Sequence, residues 1–85
     1  MKKNLYTIYD TKAKTYNNLI THDNDATIKR ELSHMINSND NNQYSAHSSD
    51  FALFKIGLYD TENAKITLLD APTNLCNLNT LKNQE

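Results

Sequence analysis

The residues able to do chemistry are few, and their spacing decides what can be asked of them. Three histidines, His22, His34 and His47, fall 12 and 13 residues apart, so no two share the i, i+4 face that holds a metal on a helix. The single cysteine, Cys76, lies in a polar stretch after Pro72 and excludes an internal disulfide framework or a thiolate zinc site. With one glycine, Gly57, there is no phosphate-cradling loop and no nucleophile elbow. Asp60 and Glu62 flank an expected hairpin turn, where carboxylates serve the backbone. No nucleophile, base and orienting group come together, so the expectation is a protein without catalysis, metal or cofactor.

What remains is charge interleaved with aromatic rings. Lys2, Lys3, Lys12 and Lys14 stand against Asp10 alone in residues 1–16, a local +3 within a chain of net charge −1. Such a balance excludes uniform polycation binding but leaves room for a local basic patch. The same stretch holds Tyr6, Tyr9 and Tyr16. Lysines track phosphates and tyrosine rings stack on unpaired bases, which points to single-stranded nucleic acid as a partner. The residues also fit a plainer role, as cross-strand packing and a solvated turn. Tyr6 and Tyr9 have opposite parity, so at most one of that pair can reach an exposed sheet face.

The elements that must position these residues follow from periodicity. Asn4 to Asp10 is rich in β-formers and reads as a strand, followed by the turn Asp10–Lys14 and a second strand from Tyr16 to Thr21. Ile28, Leu32, Met35 and Ile36 then recur at helical spacing, with Asp23 as the expected N-cap and a stop near Asn37. Residues 37–50 are Ser/Asn-rich and read as a mobile surface loop. Phe51 to Asp60 is apolar at nearly every position and is the expected central strand. Gly57 within it marks a bulge or a close backbone approach. Thr61–Ala64 makes a turn, with Asn63 supplying a positive φ, and Lys65 to Leu69 returns as a fourth strand. No repeat stands out at a period of 20–50 residues.

Eighty-five residues make one small domain. The predicted fold is α+β: a β-β-α-β-β unit over residues 1–70, its four-stranded antiparallel sheet covered on one face by one helix. Residues 71–85 are expected to be a C-terminal tail, partly ordered or docking on a partner. The central strand is apolar on both faces, which favours a homo-oligomer, with Phe51 and Leu53 and the tail leucines Leu75, Leu78 and Leu81 as its interface or that of another partner. No signal-peptide core and no run of about 18 apolar residues is present, so no membrane association is expected.

Three blocks resemble a known family. Leu5-Tyr6-Thr7-Ile8-Tyr9-Asp10-Thr11-Lys12-Ala13-Lys14-Thr15-Tyr16-Asn17 resembles the N-terminal signature of the small non-structural protein of gokushoviruses, microviruses with circular single-stranded DNA genomes. The helix Ala26 to Asn37 falls where that family has its amphipathic helix. Ser49 to Asp60 is similar to the family's Asp-Tyr/Phe, Leu-Phe, Ile-Gly and Tyr-Asp pattern. The resemblance covers residues 4 to about 70. It departs in the last hairpin turn, where the family often has glycine and this chain has Asn63-Ala64.

The resemblance implies a non-catalytic DNA-binding protein in the cytoplasm of an infected bacterial host. Its implied role is control of viral single-stranded DNA synthesis, at the switch from replication to packaging. Single-stranded or replicative-form DNA would be the ligand, with Lys2, Lys3, Lys12 and Lys14 on phosphates and Tyr6, Tyr9 or Tyr16 on bases. A second reading is a protein–protein adaptor that engages replication or procapsid proteins without touching DNA.

Overall fold

The β-branched and aromatic residues between Lys2 and Asp10 form the longest strand that the first half of the chain can make, and the rest of the sheet is laid on it. The structure, a computed structural model, describes residues 1–38 and 43–82. In chain order it contains β1 (Lys2–Asp10), β2 (Thr15–Tyr16), β3 (Ile20–His22), α1 (Asp25–Asn37), α2 (Gln43–Ala46), β4 (Phe51–Asp60) and β5 (Lys65–Asn77). A 3-10 turn, Ser48–Asp50, leads into β4, and a second, Leu78–Leu81, follows β5. The strands form one curled antiparallel sheet in the order β2-β1-β4-β5, with β3 beside β2 on the same edge of β1.

β1 and β4 are the central pair, in register from Lys2 opposite Asp60 to Asp10 opposite Phe51, with one extra residue in β4 at Ile56. Each ends in the same turn. Tyr9-Asp10-Thr11 and Tyr59-Asp60-Thr61 are identical triplets, and the chain does after all repeat itself. In the first turn the Asp10 carboxylate accepts from the amides of Lys12 and Ala13, and Lys14 N–H donates to the Asp10 carbonyl at 2.8 Å. In the second, Asp60 accepts from Glu62 N–H and Ala64 N–H donates to the Asp60 carbonyl at 2.8 Å. Thr11 donates both its amide and its hydroxyl, each at 2.9 Å, to the carbonyl of Asp50 just before β4. Thr61 does the same to Met1 just before β1. Each strand's turn therefore grips the start of the other strand. Both turns close on a left-handed residue, Lys14 at φ 59° and Ala64 at φ 62°, so the positive φ falls on Ala64 and not on Asn63.

Parity divides the sheet. Tyr6, Ile8, Phe51 and Leu53 face α1 and join its Ile28, Leu32 and Ile36, with Leu78, in the core. Asn24, rather than Asp23, caps α1: its side chain accepts from Thr27 N–H at 2.9 Å, and the Thr27 hydroxyl accepts from Asn24 N–H. Asp23 is left to pair with Lys3. Tyr6 donates from its hydroxyl to Asp25 Oδ1 at 2.6 Å, tying β1 to the first turn of α1. Burial, reinforced by that carboxylate, holds the Tyr6 phenol protonated far above its ordinary range.

Several expectations are corrected. The second strand is broken at residues 17–19, where the register on β1 shifts by one residue and Thr7 donates its hydroxyl to the carbonyls of Asn17 and Asn18. Part of the expected loop is structured: α2 brings Tyr44 edge-on to Phe51 at 4.8 Å, and Ser48 is buried. Residues 39–42 of that loop lie outside the described residues. Nor are residues 71–82 a tail. β5 continues through a wide bulge, in which Leu69–Pro72 face Ile56 alone, to Asn77. The following turn then seals one side of α1, where Ser33 and Asn37 donate to the Leu81 carbonyl.

Three consequences can be measured. Gly57 is tight because a Cβ there would collide with the Thr67 carbonyl oxygen and come within 3.1 Å of Leu68 Cα, so Gly57→Ala should lower stability by about 1–3 kcal/mol in urea unfolding. Ala64→Gly relieves a left-handed alanine and should raise stability by roughly 0.5–1 kcal/mol, read as a higher Tm. Above about pH 10 the unfolded chain ionises Tyr6 while the folded chain does not, so stability should fall as pH rises past that point. Tyr6→Phe should remove this alkaline slope while costing about 1–3 kcal/mol at neutral pH.

Candidate nucleic-acid interface

The face of the sheet turned away from α1 carries the only aromatic cluster, among the described residues, that is open to solvent. Tyr9 and Tyr16 are directly opposite one another across β1 and β2, one residue pair from the turn. Phe54 shares their face because Phe51 and Leu53 take the alternate positions of β4 into the core. The rings of Tyr9 and Tyr16 are 4.7 Å apart at 55°. Phe54 stands edge-on to both, at 5.9 Å from Tyr9 and 5.7 Å from Tyr16. Such tilted packing holds each ring by its neighbours, and Tyr16 remains 50% exposed. Beside it a shallow depression of about 230 Å³ is lined by Thr7, Tyr16, Asn17, Leu19, Ile56 and Pro72.

The turn that joins the two tyrosine strands carries Lys12 and Lys14. Both are exposed, and among the described residues neither has an ion-pair partner. The Asp10 carboxylate is occupied by the turn amides. Three ring systems and two free ammonium groups therefore share one end of the sheet. Chemically, this arrangement offers stacking surfaces and phosphate contacts.

The other sequence-derived residues go elsewhere. Tyr6 is fully buried under α1 and offers no stacking surface, as its parity requires. Lys2 and Lys3 lie at the opposite end of β1, about 23–26 Å from Asp10 at roughly 3.3 Å per residue. There Lys3 Nζ is 3.7 Å from Asp23, and Lys2 stands opposite Asp60 in the register of β1 with β4. The +3 seen along the sequence is thus split by the length of a strand. The expected interface residues Phe51, Leu53 and Leu78 are buried core, and Leu75 and Leu81 pack against that core. They are spent inside the monomer because α1 covers their face. Phe54 was legible only by alternation, since it falls opposite in parity to Phe51 and Leu53.

A second concavity, about 640 Å³, runs between β3 and α1 over Ile8, Ile20, Ile28, Leu32 and Met35. His22 closes one end, bonded through Nδ1 to the Thr27 hydroxyl at 2.9 Å and through Nε2 to Glu31. At the other end Asn17 donates to the Tyr44 hydroxyl at 2.7 Å. His34 and His47 are exposed on separate elements, Cys76 is half-buried opposite Leu53, and no three His, Cys, Asp or Glu side chains converge among the described residues. No helix among them is long and apolar enough to cross a membrane.

No curated protein matches the chain, and no solved structure does. One family model, described as Phage ORF5 protein, matches residues 3–81, and so spans both hairpins, α1 and the turn that seals it. A match of that extent places this chain in the Phage ORF5 protein family.

Proposed function

We propose that this phage protein is a non-structural, non-catalytic single-stranded DNA-binding protein of a gokushovirus-type microvirus, acting in the infected cell where replication gives way to packaging. The observation that carries this reading is the set Tyr9, Tyr16 and Phe54 beside Lys12 and Lys14 on the uncovered sheet face. Stacking on an aromatic platform tolerates any base, and two lysines at its rim suit a flexible backbone better than a rigid duplex. Occupancy is then the mechanism: a bound strand is withheld from second-strand synthesis and presented for packaging. Membership in a phage family supports the viral setting.

The groove between β3 and α1 favours a second reading, an adaptor. Its apolar floor and polar ends could receive a side chain of a replication or procapsid protein without any DNA contact.

Fluorescence anisotropy of a labelled single-stranded oligonucleotide, titrated at several salt concentrations, separates the two. Saturable binding that weakens with salt is expected, with duplex a poor competitor. Lys12→Ala/Lys14→Ala should reduce the salt slope by about 1.4, at roughly 0.7 per phosphate contact on a single strand. Lys2→Ala/Lys3→Ala should leave it unchanged. Tyr16→Ala should weaken binding by about 1–3 kcal/mol. An unchanged slope in the Lys12/Lys14 variant rejects the assignment, and no binding in low salt moves the weight to the adaptor, to be sought by nuclease-treated pull-down with purified replication proteins.

A further inference from the structure

The sheet edge farthest from the aromatic cluster is open. Among the described residues β5 is bonded to β4 on one side only, and every residue from Lys65 to Asn74 is exposed. Natural sheets blunt a free edge with proline, charge or a covering element. Here proline arrives only at Pro72, and the preceding segment presents Ile66 (49% exposed), Leu68 (67%) and Leu69 (38%) to solvent. The turn Thr61–Ala64 bounds this segment on one side and the Leu69–Pro72 bulge on the other. The edge that can pair is about five residues long.

We infer that Lys65–Leu69 pairs antiparallel with the same segment of a second copy, about a two-fold axis at Thr67. An axis normal to the sheet keeps each face on its own side, so only residues of equal parity can oppose one another. Centring on Thr67 sets Ile66 against Leu68 of the second copy, and Leu68 against its Ile66. Centring on Leu68 would press Ile66 against Asp70, and centring on Ile66 would carry Leu68 beyond the strand into the turn at Ala64. Charge selects the direction. Antiparallel pairing lays Lys65 of each copy beside the Leu69–Asp70 end of the other, whereas a parallel arrangement stacks lysine on lysine.

The product is one continuous sheet of two copies with both uncovered faces on the same side. Five strand spacings of about 4.8 Å, from β1 of one copy to β1 of the other, separate the centres of the two aromatic clusters, roughly 24 Å across the sheet. The pairing holds whether or not those clusters bind DNA, because the Lys12/Lys14 end takes no part in it.

Sedimentation equilibrium over a concentration series reaching about 200 µM tests this, a range suited to a short interface. A monomer–dimer equilibrium is expected. I66E and L68K alter exposed side chains, and circular dichroism should show the fold unchanged. Each should weaken dimerisation by about tenfold or more. An equal mixture of the two should recover dimer to within a few-fold of the parent protein, because only the mixed pair sets the new opposite charges face to face. As a second readout, T67C in a Cys76→Ser background should oxidise to a linked dimer while T73C does not. A monomer at every concentration, assembly beyond a dimer, a dimer indifferent to both variants, or a mixture no better than either alone overturns the inference. Lys12→Ala/Lys14→Ala, which tests the DNA reading, should leave the dimer unchanged.

Discussion

Everything in this small protein hangs on the pairing of β1 with β4 and on how its register is locked. Two strands of nine and ten residues lie antiparallel at the centre of the sheet, and each ends in an Asp-Thr turn. The aspartate organises its own turn while the threonine reaches across to the carbonyl that precedes the other strand. A one-residue slip would break both grips at once and send every side chain to the wrong face. The two turns thus act as stops at opposite ends of one ladder. The extra residue at Ile56 lets the twisted strands keep both stops engaged, with Gly57 admitting β5 where a side chain would not fit.

Once register is fixed, the two faces have separate fates. One face meets α1 and is consumed by folding: Tyr6, Ile8, Phe51 and Leu53 are core, and the Tyr6 hydroxyl is spent on Asp25. Among the described residues the other has no helix to cover it. Its aromatic residues pack on one another and still show ring surface to solvent. Neighbours in sequence are therefore assigned to stability or to recognition by parity alone, as Tyr6 and Tyr9 are, or Leu53 and Phe54. Length imposes a further division. Lysines close together in the sequence are carried to opposite ends of β1, where Lys3 meets Asp23 while Lys12 and Lys14, among the described residues, meet no carboxylate.

The amphipathic helix, the hairpin at Asp10–Lys14, the apolar central strand and the tightness at Gly57 were all legible in the chain, because each rests on local pattern or on a local backbone demand. The repeated Tyr-Asp-Thr was equally present, but its meaning is not local: identical triplets become paired clamps only when β1 and β4 lie side by side. The continuation of β5 past Pro72 escaped pattern reasoning for a related reason. A proline ends regular pairing, and only a wide bulge against Ile56 lets the strand resume and deliver Leu78 to the core.

By itself the sequence determined the amphipathic helix, the two hairpins, their order, and the basic aromatic character of the first hairpin, since composition and periodicity are properties of short stretches. Only the tertiary structure decided which tyrosines are available, that the first and second lysine pairs are separate, and that Phe51, Leu53 and Leu78 belong to the core rather than to a surface. Those outcomes depend on which face α1 covers and how far a strand carries its ends apart. Both are facts of packing between segments distant in the chain, and no residue encodes them alone.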